Sequence, residues 1–401
     1  MTNPVAGAIR SAKPSSFIQV FNSYTLPGGE ENSAQRIANH LELAGHQVAR
    51  FWRSSAEWTG TSAPPKLKQL FLIFNNQPVL QQLDELHGKT KPQAWILHNV
   101  LPVISLGVYR LATELRVPII QWLHNYRPLS LGGMLRTANK ELQPNDPWLS
   151  AKEILAGTWR GRALTAWLWF GYTIARRRND FSSVKAWVAV SQEMKATFEK
   201  GGWPKDRLYA LHHSWDAANA GPGDRDLGHF LFLGRLIEAK GVEFLVDLWR
   251  QPALRSIPLV IAGRGPLSEQ LSKTSPPNVR WVGHVEGEQK KELVATCRAV
   301  VFPALWAEPL STVAYEAYEM GKPIISSSVG GMKELILDRE TGRLLPPADP
   351  VAWREAILEF VQDPAFARHL GLNGRQWLEK NVSPATWNQK FDTILARVLD
   401  G

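Results

Sequence analysis

The chain has 401 residues, of which 44% are hydrophobic and 21% charged. This length exceeds one compact α/β core and is sufficient for two, and the composition is typical of a folded protein rather than a disordered one. The single cysteine, Cys297, excludes a disulfide framework or a multi-cysteine zinc site within one chain, and its apolar neighbours predict burial. The net charge of +9 favours anionic partners: nucleotide phosphates, nucleic acid or an acidic lipid surface.

The first seventeen residues lack the layout of a signal peptide, and no stretch of about 18 uncharged apolar residues occurs elsewhere. We therefore expect a cytoplasmic protein that does not span a membrane. Nucleic acid is the less favoured anionic partner, because the sequence contains no recognised nucleic-acid-binding module and no long patterned basic stripe.

Predicted strands and helices alternate along the chain, which predicts parallel sheets of an α/β fold. The first series of strands is predicted at residues 17–21, 46–51, 94–97, 117–123, 186–190 and 207–211. The second series is predicted at residues 229–233, 258–262, 279–282, 299–302, 323–327 and 343–345. The clearest helices of the first half are predicted at residues 30–44, with Gly45 as the stop, and at residues 104–115; those of the second half begin near Gly241, Pro266, Gly287, Ser311 and Met332.

A small stretch with glycine and proline at residues 217–224 separates the two series and reads as a linker. It divides the chain into predicted domains at residues 1–216 and 217–401, and residues 383–399 form a predicted C-terminal helix. Because ligands of open parallel sheets lie beyond the carboxyl ends of the strands, the strand-to-helix loops are the places to search for chemistry.

The loop at residues 308–316 carries the strongest signal of the second half. Pro309 ends the preceding element, and Ser311 or Thr312 can cap a new helix, so that the amides of residues 310–313 face a ligand with the positive helix end behind them. Glu308 and Glu316 flank this helix start, where an acceptor-only carboxylate suits a pair of sugar hydroxyls. Two solvated glutamates beside an ordinary helix start are the alternative explanation.

A second loop places Arg235 and Lys240 five residues apart after the strand at residues 229–233. A planar guanidinium and a compact ammonium together fit a diphosphate, and they would stabilise its charge as it leaves. Two surface bases of a basic protein would give the same pattern.

Other strand ends carry weaker signals. Gly263 and Gly265 permit close approach of the backbone, although a plain turn explains them equally well. Gly29 at the start of the first helix could bring amides to a ligand, or could serve a simple turn. His124 ends a strand and could meet a substrate, although a structural histidine is the better interpretation of it in isolation.

Taken together, these loops resemble the retaining glycosyltransferases of family 4, which have the GT-B fold. The resemblance rests on motifs in a fixed order: Gly-Arg-Leu-x3-Lys-Gly from Gly234, Gly-x-Gly-Pro from Gly263, Val-Gly-His-Val from Val282, Glu-x7-Glu from Glu308, Val-Gly-Gly-Met-Lys-Glu from Val329 and Glu-Thr-Gly from Glu340. In the first half, Pro27-Gly28-Gly29, Leu97-His98-Asn99 and His124-Asn125-Tyr126-Arg127 resemble one subgroup of that family. The resemblance covers nearly the whole chain and thins between residues 128 and 184.

The resemblance implies two Rossmann-like domains that face each other across a cleft, with the C-terminal helix crossing back to the first domain. It implies that Arg235 and Lys240 hold the donor diphosphate and that Glu316 binds the ribose hydroxyls. The further donor-binding residues that it implies are Leu310, Ser311, Thr312, Gly29, Gly263, Gly265 and Val285.

The resemblance also implies that His124 and Glu308 are the catalytic residues. Glu308 would hold the transferred sugar, and the ring or carbonyl of His124 would steady developing positive charge. Such enzymes transfer a sugar from a nucleoside-diphosphate sugar with retention of configuration, and they need no cofactor and no bound metal. The acceptor would be a glycan or a lipid-linked glycan, in the assembly of a bacterial surface polysaccharide.

The sequence departs from the family at two places. Ser311 stands where the family usually has glycine, which could narrow the space beside the donor sugar. Residues 128–133 contain no cysteine, whereas many members of the subgroup carry cysteines there, and acceptor contacts therefore do not transfer from those members.

Residues 159–178 combine aromatic and basic side chains, a combination that suits an interface with anionic lipid headgroups at the inner face of the cell membrane. The residues that we assign to this acceptor or membrane surface are Trp159, Trp167, Trp169, Arg176, Arg177 and Arg178. A core-packing helix with a solvated basic end is the alternative interpretation of this segment.

Two other functions compete with glycosyl transfer. A peripheral membrane or assembly protein could keep the GT-B fold without the activity. A nicotinamide-dependent oxidoreductase would need Gly-x-Gly-x-x-Gly after the first strand and an acidic residue at the end of the second; the sequence has only Gly28-Gly29 and ends the second strand in Phe51-Trp52-Arg53.

Overall fold

The computed structural model describes residues 14–25, 28–137, 140–217, 221, 223 and 225–400. The N-terminal segment, Pro27 of the first glycine loop and most of the predicted linker lie outside the described residues. Contacts divide the chain into two units: the first runs to Ser214 and includes the helix that begins at Pro384, and the second is Trp215–Ser383.

The first unit alternates strands and helices as predicted, and it adds elements that the sequence analysis did not name. Its elements are β1 (Ser16–Ser23), α1 (Gly29–Leu43), β2 (Gln47–Ser54), α2 (Lys66–Leu72), α3 (Gln77–Thr90), β3 (Ala94–Leu97), α4 (Gly107–Glu114), β4 (Ile119–Leu123), β5 (Arg136–Thr137), β6 (Lys140–Glu141), α5 (Leu149–Ala156), α6 (Arg162–Arg177), β7 (Val184–Ala189), α7 (Gln192–Lys200) and β8 (Leu208–Ala210).

Six strands of this unit form one parallel sheet in the order β2-β1-β3-β4-β7-β8. All six predicted strands are confirmed. The four inner strands are apolar and mostly buried, whereas the edge strands β2 and β8 are largely only partly buried. The antiparallel hairpin of β5 and β6 was not predicted, since each of its strands has only two residues.

Helix α1 shows how the sequence pattern produces the packing. Ala34, Ile37, Ala38 and Leu41 recur at helical spacing, and all four are buried. Gly45 follows with a φ of +93°, a left-handed conformation that ends the helix where predicted. Helix α4, in contrast, begins at Gly107 and not at the predicted residue 104.

The second unit repeats the alternation. Its elements are β9 (Phe230–Leu233), α8 (Val242–Trp249), β10 (Leu259–Ala262), α9 (Ser268–Thr274), β11 (Val279–Gly283), α10 (Gly287–Thr296), β12 (Ala299–Phe302), α11 (Thr312–Glu319), β13 (Ile324–Ser327), α12 (Met332–Leu335), β14 (Gly342–Leu345), α13 (Pro350–Gln362) and α14 (Pro364–Val382). The strands form a second parallel sheet, as the sequence predicts, and their order is β11-β10-β9-β12-β13-β14.

The core of the second unit is built from the apolar strands and the inner faces of α8 and α13. Phe230, Trp249 and Trp353 are fully buried there, and the ring centroids of Phe230 and Trp249 lie 5.8 Å apart. Cys297 is buried as predicted, and burial raises the pKa of its thiol to about 12.

The last helix, α15 (Pro384–Asp400), packs on the sheet of the first unit. Trp387 stacks on Trp122 of β4 at 5.9 Å, and Phe391 meets Phe17 of β1 edge to face at 6.2 Å. The predicted return of the C-terminal helix to the first domain is confirmed. Among the described residues, none of the helices combines the length and the apolar character that a bilayer crossing requires.

Candidate functional site

The loops that follow β9 and β10 interlock through glycines. A Cβ on Gly263 would lie 1.8 Å from the carbonyl oxygen of Gly234, and one on Gly265 would lie 2.2 Å from that of Leu236. The Leu236 amide in turn donates to the Arg264 carbonyl at 2.9 Å. Glycine is therefore required here because two loops pack against each other, which is a reason that the sequence analysis did not give.

Lys240 and Glu308 form a buried ion pair at the carboxyl edge of the second sheet. Lys240 Nζ donates to Glu308 Oε2 at 2.7 Å, and both residues are less than a tenth exposed. The ammonium also lies 4.9 Å from the ring centroid of Phe302 and 5.8 Å from that of Trp306. From the sequence, Lys240 is predicted to bind the diphosphate and Glu308 the sugar; in the structure the two side chains bind each other.

Close backbone packing fixes the position of Glu308. Its carbonyl accepts from the Gly331 amide at 2.8 Å, and a Cβ on Gly330 would lie 2.1 Å from the same oxygen. Gly330 has a φ of +49°, so the Val-Gly-Gly motif supplies both the close approach and the left-handed turn.

The helix after Pro309 begins as predicted, with Ser311 as its N-cap. Ser311 Oγ accepts from the Val313 amide at 3.4 Å, and this bond uses one of the amides that the sequence analysis expected to face a ligand. The amides of Ser311 and Thr312 have no carbonyl one turn earlier in the helix to bind. These two remain the donors that the helix start can offer to a phosphate or a sugar oxygen.

Glu316 projects from the first turn and a half of α11 and is paired with Lys290, a residue that the sequence analysis missed. Lys290 Nζ donates to Glu316 Oε1 at 2.6 Å. Glu316 Oε2 is buried and has no hydrogen-bond partner within the described part of the chain. The carboxylate therefore keeps one acceptor oxygen for another group. Nothing in the sequence near Lys290 indicated this role, because α10 and α11 meet only in the fold.

The two other donor-side predictions differ in their surroundings. Val285 is buried after β11. Arg235 is exposed, and its guanidinium makes no hydrogen bond or ion pair with the described residues. The convergence of Arg235 with Lys240 and the helix start stays a prediction.

His124 lies at the carboxyl end of β4 in the first unit, within a cluster of histidines. Its Nε2 is 2.8 Å from His98 Nδ1, and its ring stacks on that of His213 with centroids 6.2 Å apart. Burial lowers the pKa of His124 to about 3, so the ring is neutral at physiological pH. The sequence analysis noted His98 only as part of a motif and did not name His213.

A second polar cluster, which the sequence analysis did not assign, centres on Glu30 at the start of α1. Its Oε2 accepts from Tyr24 Oη at 3.1 Å, and its Oε1 accepts from the Asn99 amide at 3.2 Å. Arg127 Nη1 donates to Tyr24 Oη and to Asn99 Oδ1, each at 3.3 Å. Desolvation raises the pKa of Glu30 to about 7, against a smaller opposing effect of Arg127. The carboxyl group is thus able to exist in either protonation state near neutral pH.

Gly29, in the same helix start, has open space beside it. No heavy atom of the described residues lies within 4 Å of the position that a Cβ would occupy. Glycine is therefore not required there by packing within the described chain, unlike at Gly263 and Gly265.

Helix α6 carries most of the predicted membrane-facing side chains, and the structure adds α2 to them. Trp167 Nε1 donates to the Leu70 carbonyl at 2.8 Å, so the two helices lie side by side. Leu67 and Phe71 of α2 are 76% and 66% exposed, and Trp169 and Phe170 of α6 are 42% and 46% exposed. Phe71 and Phe170 both contact the ring of Trp167, and we call Leu67, Phe71 and Phe170 the apolar patch; Trp169 projects from a different side of α6.

Two predicted members of the membrane surface have other contacts. Arg176 Nη2 donates to the Pro128 carbonyl at 2.8 Å, and its guanidinium lies 5.4 Å from the ring centroid of Trp203. Trp159 precedes α6 and stacks with Arg160 at 5.5 Å. Arg177 and Arg178 are exposed at the end of α6. Arg176 is exposed as well, but its guanidinium is held by a hydrogen bond to the protein.

Most of the second unit matches a known protein family. Residues 220–377 match the family model of the glycosyl transferases group 1. The matched residues lie within the second unit and make up less than half of the chain. That family is the one that the motifs from Gly234 onwards resemble, and the Lys240–Glu308 pair, the Ser311 cap and Glu316 all lie within the matched residues.

Curated relatives match over part of their length. The chain is 33% identical over 181 residues to D-rhamnosyltransferase WbpZ of Pseudomonas aeruginosa, covering 44% of this chain and 45% of that protein. It is 31% identical over 157 residues to O-antigen chain mannosyltransferase C of Escherichia coli, covering 38% and 42% respectively. The chain thus spans less than half the length of these two relatives.

Solved structures match over the whole fold. HepE of Anabaena, in complex with UDP-glucose, superposes with a TM-score of 0.66 over 95% of this chain and 99% of that one, at 17% identity. Sucrose-phosphate synthase of Thermosynechococcus elongatus superposes with a TM-score of 0.69 over 96% and 99%, at 18% identity. The predicted GT-B fold, with its two parallel sheets and returning C-terminal helix, is confirmed.

Proposed function

We propose that this protein is a retaining glycosyltransferase that moves a sugar from a nucleoside-diphosphate sugar to a glycan or lipid-linked acceptor. One observation carries the proposal: the buried Lys240–Glu308 pair lies immediately before a capped helix start. Within that helix, Glu316 has one carboxylate oxygen, Oε2, with no hydrogen-bond partner among the described residues. The ammonium and the two amides at the helix start can bind a diphosphate, the Glu308 carboxylate can accept from a sugar hydroxyl, and Glu316 Oε2 can accept from a ribose hydroxyl.

In this proposal, a diphosphate competes with Glu308 for Lys240. Binding of the donor brings phosphate oxygens to the ammonium and to the amides of Ser311 and Thr312, while Glu308 accepts from a hydroxyl of the sugar. As the bond between the sugar and the diphosphate breaks, the diphosphate takes the electron pair and gains charge beside Lys240 and Arg235. The acceptor hydroxyl oxygen forms its bond on the same face of the sugar and gives its proton to the departing diphosphate, which lies on that face.

Two observations support surface polysaccharide as the product class and a lipid-linked molecule as the acceptor. The names of two relatives refer to rhamnosyl transfer and to an O-antigen chain. The apolar patch is flanked by the exposed basic residues Lys66, Lys68, Arg177 and Arg178. Apolar side chains surrounded by basic ones favour binding to the surface of an anionic bilayer. We therefore include a peripheral contact with the inner membrane in the proposal. Separately, the motif at residues 124–127 leads us to propose that the protein belongs to the His-Asn-Tyr-Arg subgroup.

The donor is tested first by thermal shift with UDP, ADP, GDP, CDP and dTDP, then with sugars of the nucleotide that stabilises the protein. A ligand at about a hundred times its dissociation constant should stabilise the protein by about 2.7 kcal/mol. Donor hydrolysis or transfer should then be lost in Glu308→Gln and kept in Glu269→Gln, an exposed surface control. Stabilisation by none of the nucleotides, and no turnover, would favour the inactive assembly protein instead.

The membrane contact is tested by co-sedimentation with vesicles of phosphatidylglycerol and phosphatidylcholine in equal parts. We expect Phe71→Ser with Phe170→Ser to reduce the bound fraction severalfold, because two exposed aromatic side chains no longer enter the interface. Leu43→Ser, which removes a 67% exposed leucine at the end of α1, is the matched control and should bind as before. Equal vesicle binding by the double variant and the wild type would instead favour the interpretation of α6 as a core-packing helix.

A further inference from the structure

Four side chains of the first unit form one continuous chain of hydrogen bonds that ends at His124. Trp52 Nε1 lies 3.1 Å from Gln19 Oε1, Gln19 Nε2 lies 2.9 Å from His98 Nε2, and His98 Nδ1 lies 2.8 Å from His124 Nε2. Gln19 and His98 are buried beneath the carboxyl edge of the sheet, which keeps solvent from exchanging these partners. The chemistry of each group determines which atom carries each hydrogen.

Gln19 has only one possible orientation in this chain. The indole nitrogen of Trp52 is solely a donor, so the atom facing it must be the amide oxygen of Gln19. The other end of the amide agrees, because Gln19 Nε2 also donates to the Ala34 carbonyl at 2.8 Å. One hydrogen of the NH2 group points to Ala34, and the second points to His98.

The orientation of Gln19 decides the tautomer of His98. Since Gln19 Nε2 donates, His98 Nε2 must accept and therefore carries no hydrogen. Burial, and to a smaller degree the neighbouring His124, lowers the pKa of His98 well below its usual range, so the ring is neutral. Its single hydrogen is on Nδ1, from which it donates to His124.

The hydrogen bond from His98 also determines which nitrogen of His124 carries a hydrogen. Its Nε2 accepts from His98 Nδ1, so the hydrogen of the neutral His124 ring is on Nδ1. Nδ1 makes no hydrogen bond to any residue that the structure describes. It is therefore the one ring nitrogen of His124 that remains for another molecule, and it presents a donor.

We propose that Gln19 and His98 are positioning residues that fix His124 as its neutral Nδ1–H tautomer, so that it donates a hydrogen bond to a substrate oxygen and does not act as a base. The substrate part rests on the proposed function and takes that oxygen to belong to a sugar. A neutral donor can hold a hydroxyl or ring oxygen beside a centre that develops positive charge without repelling that charge. An imidazolium at the same place would repel it.

The tautomer is measured without any substrate, by long-range 1H–15N correlation spectra of the full-length protein labelled in its histidines, at about pH 7.5. His98→Gln and His124→Gln assign the two rings. We expect both rings to be neutral and protonated on Nδ1. A His124 ring that is cationic, or protonated on Nε2, would overturn the proposal.

Gln19→Glu tests whether Gln19 sets the tautomer. An ionised carboxylate of nearly the same shape can only accept, so His98 must then donate from Nε2 and accept at Nδ1, and His124 must donate from Nε2. Spectra taken at high pH, where the introduced carboxyl is ionised, should show both rings reversed. Unchanged tautomers there would show that Gln19 does not set them. Gln35→Glu, on the exposed face of α1, is the matched control and should leave both rings as they were.

Turnover separates this inference from the proposed function. Once a donor is known, Gln19→Glu should lower kcat by about tenfold or more with a smaller change in the KM for the donor, because His124 no longer offers a hydrogen. Reversed tautomers with an unchanged kcat would overturn the role of the Nδ1 donor. If both rings show the predicted tautomers but no donor is turned over, the proposed glycosyltransferase activity would be wrong, while the hydrogen-bond chain would still be established.

Discussion

Lys240 and Glu308 are bound to each other, with Nζ and Oε2 2.7 Å apart and both side chains buried. Each is thus a close counter-charge of the other. Removing one partner of a buried pair leaves an uncompensated charge, whereas replacing both with uncharged groups of similar size is often tolerated. The stability role and the ligand role of this pair can therefore be separated.

We predict that Lys240→Ala destabilises the second unit by about 3–5 kcal/mol, while Lys240→Met combined with Glu308→Gln recovers most of that loss. The double variant should still bind nucleoside diphosphate at least about tenfold more weakly, because no ammonium remains for the phosphates. Calorimetric melting and isothermal titration measure the two effects. Lys273→Ala, at an exposed pair, is the control for loss of positive charge. Wild-type affinity in the folded double variant would contradict the donor assignment.

Glu316 offers a second prediction, because its Oε2 is buried and has no hydrogen-bond partner among the described residues, while Oε1 binds Lys290. Glu316→Gln should weaken the binding of the preferred nucleoside diphosphate by about 1–2 kcal/mol, since a carboxylate accepts two hydroxyls better than an amide does. The same substitution should have little effect on the 2′-deoxy analogue. An equal loss for the ribose and deoxyribose forms, measured by titration calorimetry, would argue against ribose recognition by this residue.

The glycines of the two units should respond differently to alanine. Gly263→Ala would place a Cβ 1.8 Å from a backbone oxygen, so we expect a melting temperature several degrees lower. Gly29→Ala has open space among the described residues and should melt as the wild type does. A fall in turnover with Gly29→Ala, at unchanged stability, would support approach of a ligand to that helix start. Unchanged turnover would remove Gly29 from the site.

Glu30 predicts a pH dependence of stability. Its pKa is about 7 in the folded protein against an ordinary 4.5, so the folded state holds this proton more tightly than the unfolded chain does. This contribution to stability is complete below about pH 4.5 and is lost as the pH rises through about 7. Glu30→Gln, which is always neutral, should therefore be the more stable protein at about pH 8, by about 1–3 kcal/mol, with little difference at about pH 5.

The measurement is the apparent melting temperature of both proteins at several pH values. Glu85→Gln, an exposed carboxylate of α3, is the control and should change neither the melting temperature nor its pH dependence. A wild-type curve that runs parallel to that of Glu30→Gln would show that the pKa of Glu30 is ordinary.

The sequence by itself determined the alternating architecture and the loops that carry the chemistry. Apolar runs of strand length and helices with a repeating buried face are local patterns, so β1, α1 and all the strands of the second sheet could be predicted without tertiary information. The helix start at Ser311 could also be predicted, because a cap depends on neighbours within one turn.

Only the tertiary structure decided which side chains meet. The pairing of Lys240 with Glu308 joins residues 68 positions apart in the chain. The pairing of Glu316 with Lys290 joins two helices, and the sequence pattern of neither helix indicates that they are in contact. The tautomer of His124 depends on Trp52, Gln19 and His98, which come together only because β1, β2, β3 and β4 are neighbours in one sheet. Hydrogen bonds and ion pairs act over a few ångströms in space. Hydrophobic periodicity, in contrast, predicts only the local structure formed by residues that are close along the chain.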